Sequence, residues 1–196
     1  MDTPGIYPAE QREGPEQVRE TKRQLRRRML ERQRALPADY AESASAAIQR
    51  HILSLPEYRK AVSLFTYISM PREVSTALII RQALADGKRL YVPKCIGGEM
   101  LAVRLRDPWQ LRPGSYGIPE PIDHSETAAA DELDLILVPC VSASPDGKRL
   151  GHGAGYYDRF LKAGSDRTFC LCFREMLLGD IPVEEHDIRM AHVISE

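Results

Sequence analysis

Four glycines, Gly147, Gly151, Gly153 and Gly155, lie in the segment SPDGKRLGHGAGYYDRF, just after the apolar run LDLILVP. Alternate glycines remove the Cβ atoms that keep backbone N–H groups away from an anion. A helix opening beyond them adds free N–H groups and a positive dipole end. Lys148 and Arg149 bring charge to the mouth of the loop. Polyphosphate is the natural occupant, and a plain tight turn is the alternative. Asp158 follows the loop directly. A carboxylate there suits Mg²⁺, a hard cation that shares its shell between protein and phosphate oxygens, or serves as an acid at a helix start. The spacing matches neither GxxxxGK[ST] nor GxGxxG.

A second set of charged groups stands near the N-terminus. Lys22 and Arg26 are four residues apart on a segment that also carries Arg19, Arg23, Arg27, Arg28, Arg32 and Arg34. They share one helical face. Read from composition, they belong to a solvated cationic helix. Three further residues with possible chemistry are Glu73, in ISMPREVST, and His186 and Asp187, in PVEEHD.

The elements that must position these groups follow from periodicity. Residues 1–16, with three prolines and two glycines, read as a flexible extension. From 17 to 196 the chain reads as a single catalytic domain. Val18, Leu25, Met29 and Leu36 mark one stripe of a helix over about 16–36, and a second helix follows Asp39. Strands are expected over 61–69, 89–93, 100–105, 133–139, 168–173 and 192–195. A helix over 77–86 is capped by Ser75 or Thr76 and closed by Gly87. Residues 107–131, rich in proline, read as a long ordered loop. Alternating strands and helices predict an α/β fold, a three-layer Rossmann-like domain with a mostly parallel central sheet. Ligands of such sheets bind beyond the carboxyl ends of the strands, where the glycine loop lies.

The 196 residues carry 27 Lys and Arg against 28 Asp and Glu, so no global charge favours nucleic acid or an anionic membrane. No run approaches the roughly 20 apolar residues of a membrane span, and no apolar leader precedes the charged helix. Cys95, Cys140, Cys170 and Cys172 have neither CxxC nor zinc-knuckle spacing and read as buried free thiols of a cytoplasmic protein. A monomer is expected.

DLILVPCVSASPDGKRLGHGAGYYDRFL resembles the signature of the 5-formyltetrahydrofolate cyclo-ligase (5,10-methenyltetrahydrofolate synthetase) family. KRQLR, ISMPREVST, YGIPEP and PVEEHD match in order, so the resemblance runs from about Lys22 to the C-terminus. It implies ATP-dependent conversion of 5-formyltetrahydrofolate to 5,10-methenyltetrahydrofolate, with ADP and phosphate released and no protein nucleophile. It carries ATP binding onto Lys22, Arg26, Arg149, Leu150, Gly151, His152, Gly153, Ala154, Gly155, Tyr156 and Tyr157. Folate binding falls on Ile68 and Glu73 and on His152, Gly153, Ala154, Gly155 and Tyr156. Mg²⁺ binding falls on Asp158 and Asp187. Tyr116, Gly117 and Glu120 resemble the family's loop beside the site.

Three positions depart from the family pattern. His152 stands where many members have Tyr or Arg, Ala154 where Gly or Lys is common, and Cys140 in place of the usual glycine after Pro139. Two rival readings remain at this point. One is another α/β enzyme, of sugar-phosphate or acyl-CoA chemistry. The other is a folate- or nucleotide-sensing module touching RNA through residues 19–34, which lacks interleaved aromatics.

Overall fold

The structure, a computed structural model, describes residues 14–114, 117–163 and 165–196. Most of the expected N-terminal extension, and Tyr116, lie outside the described residues. The helix expected from residue 16 starts one residue earlier, with Pro15 in its first turn. Proline is tolerated there because that N–H has no intrahelical partner.

Helix α1 (Pro15–Ala35) buries Lys22, Leu25, Met29 and Gln33. These recur at spacings of three, four and four residues, so a lysine falls on the same stripe as the apolar anchors. Helix α2 (Ala38–Ser54) buries Ala44, Ile48 and Ile52, and the short α3 (Pro56–Lys60) leads into the sheet. Strand β1 is only Ser63–Phe65, much shorter than the run of Val, Leu, Phe and Tyr suggests. Beyond Thr66 the chain leaves the sheet, and Tyr67 turns its hydroxyl to the Val74 carbonyl at 2.7 Å. Those apolar residues line a loop instead of a ladder. Helix α4 (Ala77–Ala85) follows, without the expected side-chain cap at Thr76. The Thr76 hydroxyl donates to Tyr67 O at 2.7 Å, and Gln49 Oε1 accepts the Leu78 N–H at 2.8 Å in its place.

Strands β2 (Arg89–Ile96) and β3 (Glu99–Leu105) form a hairpin over Gly97 and Gly98, both at positive φ. The proline-rich stretch is not one loop. It contains a small hairpin, β4 (Leu111–Pro113) with β5 (Pro119–Pro121), and an edge strand β6 (Thr127–Ala128). Strand β7 (Leu135–Pro139) is buried at every residue. A second small hairpin pairs β8 (Ser142–Ala143) with β9 (Arg149–Leu150), and α5 (Tyr156–Phe160) follows the glycine loop. Strands β10 (Thr168–Leu171) and β11 (His192–Ile194) complete the sheet.

The central sheet has the order β11-β10-β7-β1-β2-β3-β6. Pairing is parallel from β11 through β2, and antiparallel only at the β3 and β6 edge. Leu64 and Phe65 point to opposite faces of β1, and both are fully buried. Helices therefore cover both sides, and the ring of Phe160 in α5 lies 5.1 Å from that of Phe65. This is the expected three-layer α/β arrangement. From β1 the chain winds outward to β2, β3 and β6, then returns to β7 and winds the other way. The reversal between β1 and β7 opens a crevice at their carboxyl ends.

Candidate active site

A cavity of about 730 Å³ occupies that crevice. Tyr67 and Ile68 come from the end of β1, Pro139 from the end of β7, and Lys22 and Arg26 from α1. Gly151, His152, Gly153, Ala154, Gly155, Tyr156, Tyr157 and Asp158 form one wall, and Glu73 and Asp187 complete the expected set. Arg149 lines the cavity too, whereas Leu150 lies beneath it. Leu150 is fully buried, and its carbonyl accepts the Val141 N–H at 2.8 Å. Its side chain anchors the loop in the core.

The glycine loop is held open by its backbone and by two arginines. Gly153 has φ 102° and Gly155 φ 68°, conformations that side chains with a Cβ rarely adopt. A Cβ on Gly153 would stand 3.3 Å from the Arg26 guanidinium. Arg26 Nε donates to Gly151 O at 2.6 Å, and Arg159 Nη1 to Ala154 O at 3.0 Å. Burial pushes the Arg26 pKa down from its usual value, while Asp187 and Glu184 oppose the shift. Helix α5 has five residues, too few to build the dipole expected beyond the loop. The positive field comes from side chains.

Arg149 is the most informative of these. Its side chain is 5% exposed and pairs with Asp158 through Nη2 at 3.0 Å. Its Nε is buried without a hydrogen-bond partner among the described residues. A buried guanidinium donor left unpaired is costly. A polyphosphate fits this wall on two counts: the glycine cradle, and the cations Lys22, Arg26 and Arg149 that line it.

The opposite end of the α1 face meets carboxylates. Lys22 Nζ donates to Asp187 Oδ2 at 2.6 Å and Oδ1 at 2.8 Å, and to Glu184 Oε2 at 3.1 Å. Arg19 Nε donates to Glu184 Oε1 at 2.7 Å. The hydrogen bond from Arg19, reinforced by Lys22, holds the Glu184 carboxyl below the usual carboxylate range. Glu184, His186 and Asp187 offer donor atoms all within 4.8 Å of one another. Asp158 is outside that trio but tethered to it, accepting the Ile188 N–H through Oδ1 at 3.3 Å. The oxygens of Asp158, Glu184 and Asp187 suit a hard cation such as Mg²⁺.

Glu73 closes a tight turn. Pro71 and Arg72 occupy its centre, Arg72 at φ 77°, and the Glu73 N–H reaches Met70 O at 3.1 Å. The Glu73 carboxylate accepts the Met70 N–H at 2.8 Å and faces His152 Nε2 at 3.2 Å. Met70, Met100 and Ile118 make the surrounding wall apolar. Burial, with the Glu73 charge as a second cause, raises the Tyr67 and Tyr157 phenols well above their usual pKa. Both remain neutral at physiological pH.

With this geometry in place, comparison with known proteins is specific. The sequence model of the 5-formyltetrahydrofolate cyclo-ligase family matches residues 18–196. The chain belongs to this family. A 5-formyltetrahydrofolate cyclo-ligase of Saccharomyces cerevisiae is 32% identical over 89% of the chain and 94% of its own length. The Mus musculus enzyme of that name is 29% identical, covering 91% and 95%. Among solved structures, the 5,10-methenyltetrahydrofolate synthetase of Aquifex aeolicus superposes with TM-score 0.78 at 30% identity, over 86% of each chain. One from Mycoplasma pneumoniae, 20% identical, shares the fold with TM-score 0.71 over 89% and 98%.

Family membership leaves the role of each residue to geometry, and some were invisible in the sequence. Glu184 was indistinguishable from Glu185 within PVEEHD, and only one of the two turns into the cavity. Arg19 was one cation among eight, although it stands three residues before Lys22 on the same face. Cys95, read as a buried thiol, is half-buried and lines the cavity, while Cys140, Cys170 and Cys172 are buried as expected. Several of the α1 arginines read as a solvated face are ion-paired. Arg23 meets Glu20 at 2.8 Å, Arg27 meets Glu31 at 3.3 Å and Arg32 meets Glu175 at 2.8 Å.

Proposed function

We propose that this chain converts 5-formyltetrahydrofolate to 5,10-methenyltetrahydrofolate with ATP, through a phosphorylated formyl intermediate. The observation that carries the reading is one cavity with two unlike halves. An apolar half around Ile68, Met70 and Met100 holds the carboxylate of Glu73, and a cationic half holds Lys22, Arg26 and Arg149. A flat heterocycle fits the first, its N–H groups donating to Glu73. A triphosphate fits the second.

An amide-like formyl oxygen is a poor leaving group. Its attack on the γ-phosphorus displaces ADP and gives an iminium phosphate ester. The N10 amine then attacks the formyl carbon and loses its proton, and phosphate departs as the ring closes. Every bond made or broken lies between the two substrates. The chain aligns them and neutralises charge. Lys22, Arg26, Arg149 and the loop N–H groups of 151–155 hold phosphate oxygens, and Glu73 and Ile68 orient the pterin. Asp158 and Asp187, with Glu184 beside them, would hold Mg²⁺, which shields the triphosphate charge when bound.

Purified protein given 5-formyltetrahydrofolate, ATP and Mg²⁺ is expected to develop the methenyl absorbance and release one ADP per product. Product without ATP, or none with it, overturns the reading. ATP dependence also separates it from a sugar-phosphate or acyl-CoA enzyme built on the same sheet.

A further inference from the structure

The glycine loop and the Glu73 turn come from different halves of the chain and meet across the cavity at one contact. His152 Nε2 lies 3.2 Å from Glu73 Oε1. The Glu73 side chain is 6% exposed and that of His152 40% exposed, so the imidazole roofs the carboxylate on its solvent side. Glu73 Oε2 is already satisfied by the Met70 N–H at 2.8 Å. Oε1 has His152 as its hydrogen-bond partner among the described residues. A carboxylate this buried, beside the buried phenol Tyr67 and the partly buried Tyr157, needs donors on both oxygens to keep one orientation.

The support for His152 comes from the nucleotide side. Arg26 Nε holds the carbonyl of Gly151, the residue before His152, at 2.6 Å. Its guanidinium also packs against the residue after it, Gly153. A ligand that engages Arg26 therefore bears on the same three residues that place the imidazole. The Glu73 carboxylate has about four lone-pair directions and only two are taken, so a heterocycle can bind while the His152 contact persists.

We propose that His152 is a positioning residue, which holds Glu73 Oε1 towards the folate subsite and links that subsite to the Arg26 end of the glycine loop. The inference rests on the proposed cyclo-ligase reading, because it takes Glu73 as the group that receives the folate. It adds a role to a position where the chain departs from its family's usual residues. His152 transfers no proton to either substrate. It fixes the direction of a carboxylate that does not react.

The test compares wild type with His152→Phe, which keeps the ring and loses the donor, and His152→Gln, which places an amide N–H near the Nε2 position. Binding of 5-formyltetrahydrofolate is measured by calorimetry without nucleotide and with a non-hydrolysable ATP analogue, alongside steady-state kinetics. His152→Phe is expected to weaken folate binding and raise its KM by about ten-fold, the scale of one hydrogen bond to a charged group. At saturating folate, kcat is expected to change much less. The Gln variant is expected to recover most of the affinity. Any tightening of folate by the nucleotide analogue is expected to shrink in the Phe variant, as reciprocal linkage requires.

Equal folate affinity in wild type and His152→Phe overturns the proposal, as does an equal loss in Phe and Gln or a loss confined to kcat. A wild type that does not bind the folate overturns the cyclo-ligase reading and this role with it. Wild-type turnover with unaffected variants overturns this role alone. Thermal unfolding of each variant checks that a loss of affinity is not a loss of fold.

Discussion

Lys22 is the residue on which the two halves of the site's electrostatics meet. Its ammonium, on the buried stripe of α1, touches both oxygens of Asp187 and one of Glu184. Lys22→Ala leaves Asp187 without its nearest cation and Glu184 with Arg19 alone and, on the proposed reading, removes a phosphate contact. We expect turnover to fall on the order of 100-fold, the scale of one charge-stabilising donor, with cooperative unfolding retained. An unchanged rate in steady-state assays removes Lys22 from the site. At Gly153 the constraint is conformational. Gly153→Ala forces a Cβ onto φ 102° and into the Arg26 guanidinium. About 1–3 kcal/mol of strain follows. The KM for ATP is expected to rise about ten-fold, while wild-type KM in the variant shows that the loop tolerates the side chain.

At the scale of elements, the crevice depends on how β1 enters the sheet beside β7. Asp134, just before β7, accepts the Val62 N–H at 2.9 Å, the Ser63 N–H at 2.8 Å and the Ser63 hydroxyl at 2.9 Å. Burial raises its pKa, but the hydrogen bonds from Ser63 and Val62 outweigh this and leave it below the usual value. A carboxyl with a depressed folded pKa contributes stability that is present above its unfolded value of about 4. The contribution is lost as pH falls through the lower folded value. Because Asp134 is largely exposed, Asp134→Ala is expected to cost about 1 kcal/mol at pH 7. Urea midpoints are expected to show that gap, and to show it closing in strongly acidic solution. A gap that persists there, or widens, refutes the account. The brevity of β1 has a related cause: Tyr67 and Thr76 spend their polar groups stapling the 66–76 loop to itself.

At the scale of the molecule, a formal net charge of −1 conceals a strong local separation. Arg19, Lys22, Arg26 and Arg149 converge on one crevice with Glu184, Asp187 and Asp158 facing them. Chelation of divalent cations is expected to abolish turnover, and Mg²⁺ to restore it. Mg²⁺ with ATP is also expected to raise the melting temperature by mass action, since the site exists only in the folded chain. Full activity in excess chelator would count against the carboxylates as metal holders. Among the described residues, no helix is long and apolar enough to cross a membrane.

Periodicity alone was enough to read α1, α2, α4, β2, β3, β7 and β10, because their apolar stripes and runs report burial directly. Ordered motifs were enough to recognise the family and to nominate the residues of the cavity. The short ends were beyond that reach. Whether residues 66–69 continue a strand or leave it depends on hydrogen bonds to Val74 and Thr76, partners several residues away that no local pattern records. Only the tertiary structure could tell Glu184 from Glu185, put Leu150 under the floor, or set His152 against Glu73 across 79 positions of chain. Residue types and spacings determined which chemistry the chain carries. Which side chains meet was decided by the reversal of strand order between β1 and β7, because that crossing brings α1, the glycine loop and the Glu73 turn into one crevice.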